Sequence, residues 1–141
     1  MQTAVVARQP LKVHTVSSQH IRLLKTLGIG ARFMENLVYS FMDKLCAEYQ
    51  GGSWEYCEDS LTGTWYMRPV DTSQRIHVSV FGNFFDEKVT PDAAGVIVTL
   101  FALNTLCYRF ENEPKVFEAF ERLKDFAAKH QEGGAIYRAI D

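Results

Sequence analysis

The chain is short of the signatures that usually announce chemistry. Its three cysteines, Cys46, Cys57 and Cys107, form no C-x-x-C or other close pair. An odd, scattered count argues against a disulfide framework or a cysteine-built zinc module, and reads as reduced thiols of a cytoplasmic protein. The four histidines, His14, His20, His77 and His130, lack ligand spacing on any helix face, so no metal is expected. The longest apolar stretch, Ala93 to Tyr108, is interrupted by Thr99, Asn104 and Thr105. It falls short of the roughly 20 apolar residues a bilayer span needs and reads as a core helix. Ala4-Val5-Val6-Ala7 is too brief for a signal-peptide core. No segment recurs at a fixed period, which removes the solenoid folds.

Acid is missing in one place only. From Met1 to Phe33 there are five basic residues (Arg8, Lys12, Arg22, Lys25 and Arg32) and no acid; the first is Glu35. With 15 Lys+Arg against 17 Asp+Glu overall, this leader carries about +5 and the remainder about −7. Clustered cations displace counterions from phosphates, so a DNA-touching arm is one reading; a solvated leader that only aids solubility is the other.

What is present suits one soluble domain: 141 residues, 47% of them hydrophobic, enough to bury about two-thirds of the unfolded surface. Helical spacing covers Gln19 to Leu27, stopped by Gly28 and Gly30, and then Ala31 to Tyr49, stopped by Gly51-Gly52. The period then changes to two. Ser53–Glu58, Gly63–Arg68, Arg75–Phe81 and Phe84–Val89 read as short strands separated by turn-length loops. Thr90-Pro91-Asp92 combines a cap, a first-turn proline and an acid at the positive end of the dipole. Helices are expected from there to about Arg109, from Pro114 to His130, and from Ala135 to Ile140. Helices segregated from a run of strands predict an α+β fold, with an antiparallel meander of three to four strands (about residues 53–89) packed with an N-terminal helix and C-terminal helices. Residues 1–21 form a basic arm and 22–141 a single domain.

Templates for catalysis fail. Gly28-Ile29-Gly30 follows no strand, and Phe33 stands where a dinucleotide loop requires glycine. His77, Ser79 and Glu55 would make a hydrolytic set only if folding brought them together. Trp54, Tyr56, Trp65 and Tyr66 suit either a base-stacking platform or ordinary sheet packing. No catalytic residue, cofactor or metal is therefore assigned, and no enzyme is expected.

Several blocks resemble the ArdB/KlcA antirestriction proteins of plasmids and other mobile elements. They are Leu37-Val38-Tyr39, Tyr49-Gln50-Gly51-Gly52-Ser53-Trp54, Ser79-Val80-Phe81-Gly82-Asn83, Pro91-Asp92-Ala93-Ala94-Gly95-Val96, the stretch Leu123 to His130, and Ala135-Ile136-Tyr137-Arg138-Ala139-Ile140-Asp141. They follow the family order from about Arg22 onward. The resemblance implies a non-enzymatic protein of the bacterial cytoplasm that protects incoming DNA from Type I restriction–modification enzymes, its direct or indirect partners. It supplies no site residues.

Net charge adds to that implication. A DNA mimic needs a dense acidic surface, and −2 with an acid-free leader does not suit one. Two candidate contact surfaces follow: the basic residues Arg22, Lys25 and Arg32, with DNA as a partner, and the C-terminal turn, where Tyr137, Arg138 and Asp141 offer an aromatic ring, a fork donor and a carboxylate. Pairing of Arg138 with Asp141 is the plain alternative for the second surface. The rival to antirestriction is a small nucleic-acid-binding or nucleic-acid-acting accessory protein of a mobile element.

Overall fold

A computed structural model describes residues 13–16 and 25–141. Among them are five strands and four α-helices: β1 (Val13–Val16), α1 (Ala31–Leu45), β2 (Trp54–Asp59), β3 (Trp65–Pro69), β4 (Ile76–Val80), β5 (Phe85–Val89), α2 (Pro91–Arg109), α3 (Pro114–Lys129) and α4 (Gly133–Ile140). The α+β class holds. Most of the helix expected over Gln19–Leu27 lies outside the described residues, though residues 25–27 are helical.

The buried positions of α1, Met34, Val38, Met42 and Leu45, keep helical spacing along one face. The helix ends four residues before the expected Tyr49. Beyond it the chain turns back, with Tyr49 N–H donating to the Cys46 carbonyl at 2.9 Å. That turn lets the Tyr49 hydroxyl accept a bond from Trp54 Nε1 at 3.1 Å, tying the end of α1 to β2.

The strands divide differently from a single meander. β2 and β3 pair antiparallel, Tyr56 opposite Met67, while β4 and β5 form a separate hairpin. A fifth strand comes from the basic leader: β1 lies on the far edge of β2, giving the sheet order β1-β2-β3. The reason for the division is visible at Met67. Its backbone N–H donates to Thr99 Oγ1 at 3.1 Å, and the same hydroxyl donates to the Met67 carbonyl at 3.4 Å. The free edge of β3 is thus covered by α2, where a meander would place β4. Covering an edge with a helix satisfies backbone groups that would otherwise recruit another strand.

The helix that covers this edge is buried almost all round, from Pro91 to Leu106. It is long and apolar enough to cross a membrane by composition alone, yet here it is the central element of the core and touches α1, α3, α4 and β3. Thr90 Oγ1 accepts the Ala93 N–H at 3.2 Å, so the capping read from Thr90-Pro91-Asp92 is realised. One turn later Gly95 removes the side chain at the closest approach. A Cβ there would lie 2.3 Å from the Met67 carbonyl oxygen and 2.8 Å from Arg68 Cα. α3 and α4 pack against α2 and against each other, and α4 starts two residues earlier than its apolar pattern suggests.

Candidate functional site

The hydrolytic set is not assembled. Glu55 on β2 accepts from Arg68 Nε at 2.7 Å, whereas His77 on β4, in the other sheet, pairs with Asp86 of β5. Among the described residues no group of three or more His, Cys, Asp and Glu side chains is placed to hold a metal ion. Cysteine offers no nucleophile either. Burial pushes the Cys46 and Cys57 thiols up to about 12 and raises that of Cys107, the opposite of activation.

The aromatic cluster on the sheet is packing. Tyr56, Trp65 and Tyr66 are buried, and Tyr56 donates its hydroxyl to Glu35 at 2.5 Å. Trp54 is half-buried, edge-on to Tyr39 with ring centroids 5.7 Å apart. These four rings therefore offer no open platform for a base to stack on.

A polar network that sequence reading missed is centred on Asp92, in the first turn of α2. Its Oδ1 accepts from the Tyr66 hydroxyl and from Arg68 Nη1, both at 2.6 Å, and its Oδ2 accepts from His130 Nε2 at 2.7 Å. Glu132 N–H donates to His130 Nδ1 at 2.9 Å, so the ring proton sits on Nε2 and points at the carboxylate. Burial alone would raise the Asp92 pKa, but the bonds from His130, Tyr66 and Arg68 outweigh it and hold the carboxyl at about 2. Burial, with Asp92 beside it, drives the Tyr66 phenol far up. The Glu132 carboxylate meanwhile accepts from Thr90 N–H at 3.1 Å and from the Thr90 hydroxyl, and pairs with Arg75 at 3.4 Å. The network therefore ties β3, the start of α2 and the α3–α4 junction into one joint. Every oxygen of Asp92 is occupied, which is the arrangement of a structural clamp. Thr90-Pro91-Asp92 signalled only its local role; partners 26 and 38 residues away leave no local pattern.

The structure describes five of the six candidate contact residues. Arg22 lies outside the described residues, and Lys25 and Arg32 are exposed near the start of α1. Beside them the Arg109 guanidinium sits 4.5 Å from the Phe33 ring centroid, a cation–π contact that links the ends of α1 and α2. Tyr137 turns inward, its hydroxyl donating to the Lys124 carbonyl at 2.6 Å. Arg138 grips Glu87 of β5 with two bonds, of 2.9 and 3.1 Å, rather than Asp141. Asp141 is exposed and borders a cavity of about 130 Å³ between α2, α3 and α4.

One surface feature was assigned to strands by periodicity and is instead a protruding tip. Between β4 and β5, Phe81 and Phe84 are 94% and 92% exposed. Phe84 adopts the left-handed conformation, φ 62° and ψ 18°. Asn83 pins the turn from both ends of its amide: Nδ2 donates to the Ala139 carbonyl of α4 at 2.6 Å, and Oδ1 accepts from Phe85 N–H at 3.0 Å.

Comparison with known proteins gives these features a context. Residues 47–141 match the family model described as antirestriction protein. An Escherichia coli antirestriction protein KlcA is 37% identical over 140 residues, covering 94% of this chain and 96% of its own. A second E. coli KlcA is 41% identical over 76% of this chain and 74% of its own length. The putative antirestriction protein YubI of E. coli K12 is 32% identical across 94% of this chain and 97% of its own. A solved structure of the KlcA and ArdB proteins superposes with a TM-score of 0.80 at 36% identity, covering 95% of this chain and 97% of that one. It is described as a novel fold with antirestriction activity against Type I DNA restriction systems in vivo but not in vitro. Shared sequence, shared fold and near-complete mutual coverage lead to one conclusion: this chain belongs to the antirestriction protein family.

Proposed function

We propose that this protein, encoded by a plasmid or another mobile element, lowers cleavage of incoming unmodified DNA by Type I restriction–modification enzymes in the cytoplasm of a bacterial host. The observation that carries the reading is the end-to-end match to KlcA and ArdB, in fold as well as sequence. The protein acts by contact with the restriction system and without catalysis of its own. Imitation of DNA is disfavoured by the net charge of −2 and by the pairing of five of the 17 acids. Glu55 and Asp92 engage Arg68, Glu87 engages Arg138, Glu132 engages Arg75 and Asp86 engages His77. A mimic needs acids that are unpaired and arrayed like phosphates. The contrast between activity in vivo and none in vitro in the solved relatives favours a contact that needs the restriction complex, or a further host component, as it exists in the cell.

Plating tests the reading. Unmodified phage titred on restricting cells should recover by about tenfold or more when the protein is expressed. A matched non-restricting strain should show no change. Equal plaque counts with and without the protein on restricting cells refute antirestriction and favour the accessory nucleic-acid-binding reading. DNA contact by the basic leader is a separate proposal, supported by the exposure of Lys25 and Arg32. Replacing Arg22, Lys25 and Arg32 with Gln should leave plating protection intact if protein contact is the working mode. Loss of both protection and low-salt DNA retention would make the leader a phosphate-binding arm. Tyr137, Arg138 and Asp141 belong to the protein-contact proposal through Asp141, which is exposed just beyond α4 and is not the partner of Arg138.

A further inference from the structure

Phe81 and Phe84 stand almost wholly in water at the tip of the β4–β5 hairpin, three residues apart. Neither ring serves the core, and Phe84 keeps its place in a backbone region that disfavours any residue with a Cβ. The tip is nevertheless held firmly, because Asn83 bonds both to α4 and to the start of β5. A rigid turn carrying large aromatics loses little freedom on docking and has much apolar area to bury, which are the properties of an interface anchor.

The surrounding charge selects the partner. Exposed Asp86, bonded to His77, follows two residues after Phe84, with exposed Lys88 further along β5, and exposed Asp141 follows two residues after the Ala139 carbonyl that holds Asn83. The negative end of the α4 dipole arrives at the same place. Arg138, the nearest cation on α4, is already bound by Glu87. With Asp86, Glu87 and Asp141 against Arg138 and Lys88, this end of the fold has a small acidic excess that disfavours phosphates, whether of nucleic acid or of anionic lipid. We propose that the Phe81–Phe84 tip is the docking plug of this protein, entering an apolar pocket bordered by basic side chains on a protein component of the restriction machinery. The identity of that component as restriction machinery rests on the antirestriction reading above; the plug itself rests on the tip.

The test replaces Phe81 or Phe84 with the photo-reactive analogue p-benzoylphenylalanine in the full chain, with Phe117, an exposed ring on α3, as control. Cells carrying a Type I enzyme with tagged subunits are irradiated, and adducts are probed for each subunit, for a second copy of the chain, for DNA and for lipid. An adduct with a restriction subunit from positions 81 and 84, and not from 117, is the expected result. No adduct, equal adducts from 117, or adducts to a second copy, DNA or lipid overturn the proposal. A second arm uses Phe81→Ser combined with Phe84→Gly. Glycine tolerates the left-handed backbone, so the melting temperature should not fall. Plating protection should drop about tenfold or more, as loss of an anchor pair does. If the wild-type chain protects and the double variant protects equally, the plug is refuted while antirestriction stands. If the wild-type chain protects nothing, antirestriction falls and the crosslinks alone decide the plug.

Discussion

Gly95→Ala should destabilise this protein by more than about 3 kcal/mol, although the same change in an ordinary helix interior stabilises by about 1 kcal/mol. The sign is reversed by what the new methyl group meets. Its Cβ would sit 2.3 Å from the Met67 carbonyl oxygen, 2.6 Å from Arg68 Cβ and 2.8 Å from Arg68 Cα. Two of these atoms are backbone in a paired strand and cannot swing aside as a flexible side chain would. Relief requires α2 to move off the edge of β3, which pulls Thr99 from Met67 and Asp92 from Arg68. A small domain holds only about 5–15 kcal/mol in total, so the loss removes a large share of its stability. Urea denaturation measures it directly. A variant as stable as the wild type would mean that α2 and β3 do not approach this closely.

Asp92→Asn should cost about 3 kcal/mol, because an amide cannot accept from three donors and leaves Arg68 with one of its two carboxylate partners, Glu55. The substitution also has a pH signature. In the folded protein the Asp92 carboxyl is held at about 2, against 3.8 for the free group. A depressed carboxyl pKa stabilises the fold above the unfolded value, and that stability is lost as pH falls toward the folded one. The wild type should therefore lose about 2 kcal/mol from this group between about pH 4 and pH 2, and the Asn variant should lack that component. Chemical denaturation of both proteins at several acidic pH values separates the two. Parallel stability curves would show that the carboxylate does not carry the network. Loosening this joint also reaches the surface: Glu132 and Thr90 join α2 to the start of α4, and α4 holds Asn83 at the hairpin tip.

Both predictions concern residues whose local role was legible and whose tertiary role was not. Asp92 was readable as an acid at the positive end of a helix, because that role depends only on its neighbours Thr90 and Pro91. Its bonds to Tyr66 and His130 depend on which strand and which helix end arrive beside it. Gly95 is legible in the sequence only as a glycine within an apolar helix; the backbone it approaches is not. The hairpin tip failed for a different reason. Phe81 and Phe84 fit a strand pattern by residue type, and period-two alternation cannot distinguish a buried ring from an exposed one in a turn. The C-terminal turn shows the same limit: Arg138 was weighed against Asp141, its neighbour in sequence, and found Glu87 across the fold.

The amino-acid sequence by itself determined the helices, the strand segments, the capped start of α2 and the α+β class, because each follows from periodicity and neighbouring residues. Its ordered blocks also pointed to the antirestriction family. The lack of acid before Glu35 and the net charge of −2 argued early against imitation of DNA. Only the tertiary structure decided that β1 joins β2, that α2 closes the edge of β3 with Thr99, and that Asp92 gathers Tyr66, Arg68 and His130. These are pairings between segments distant in the chain, and such pairings are chosen by the free energy of packing the whole domain rather than by any local pattern.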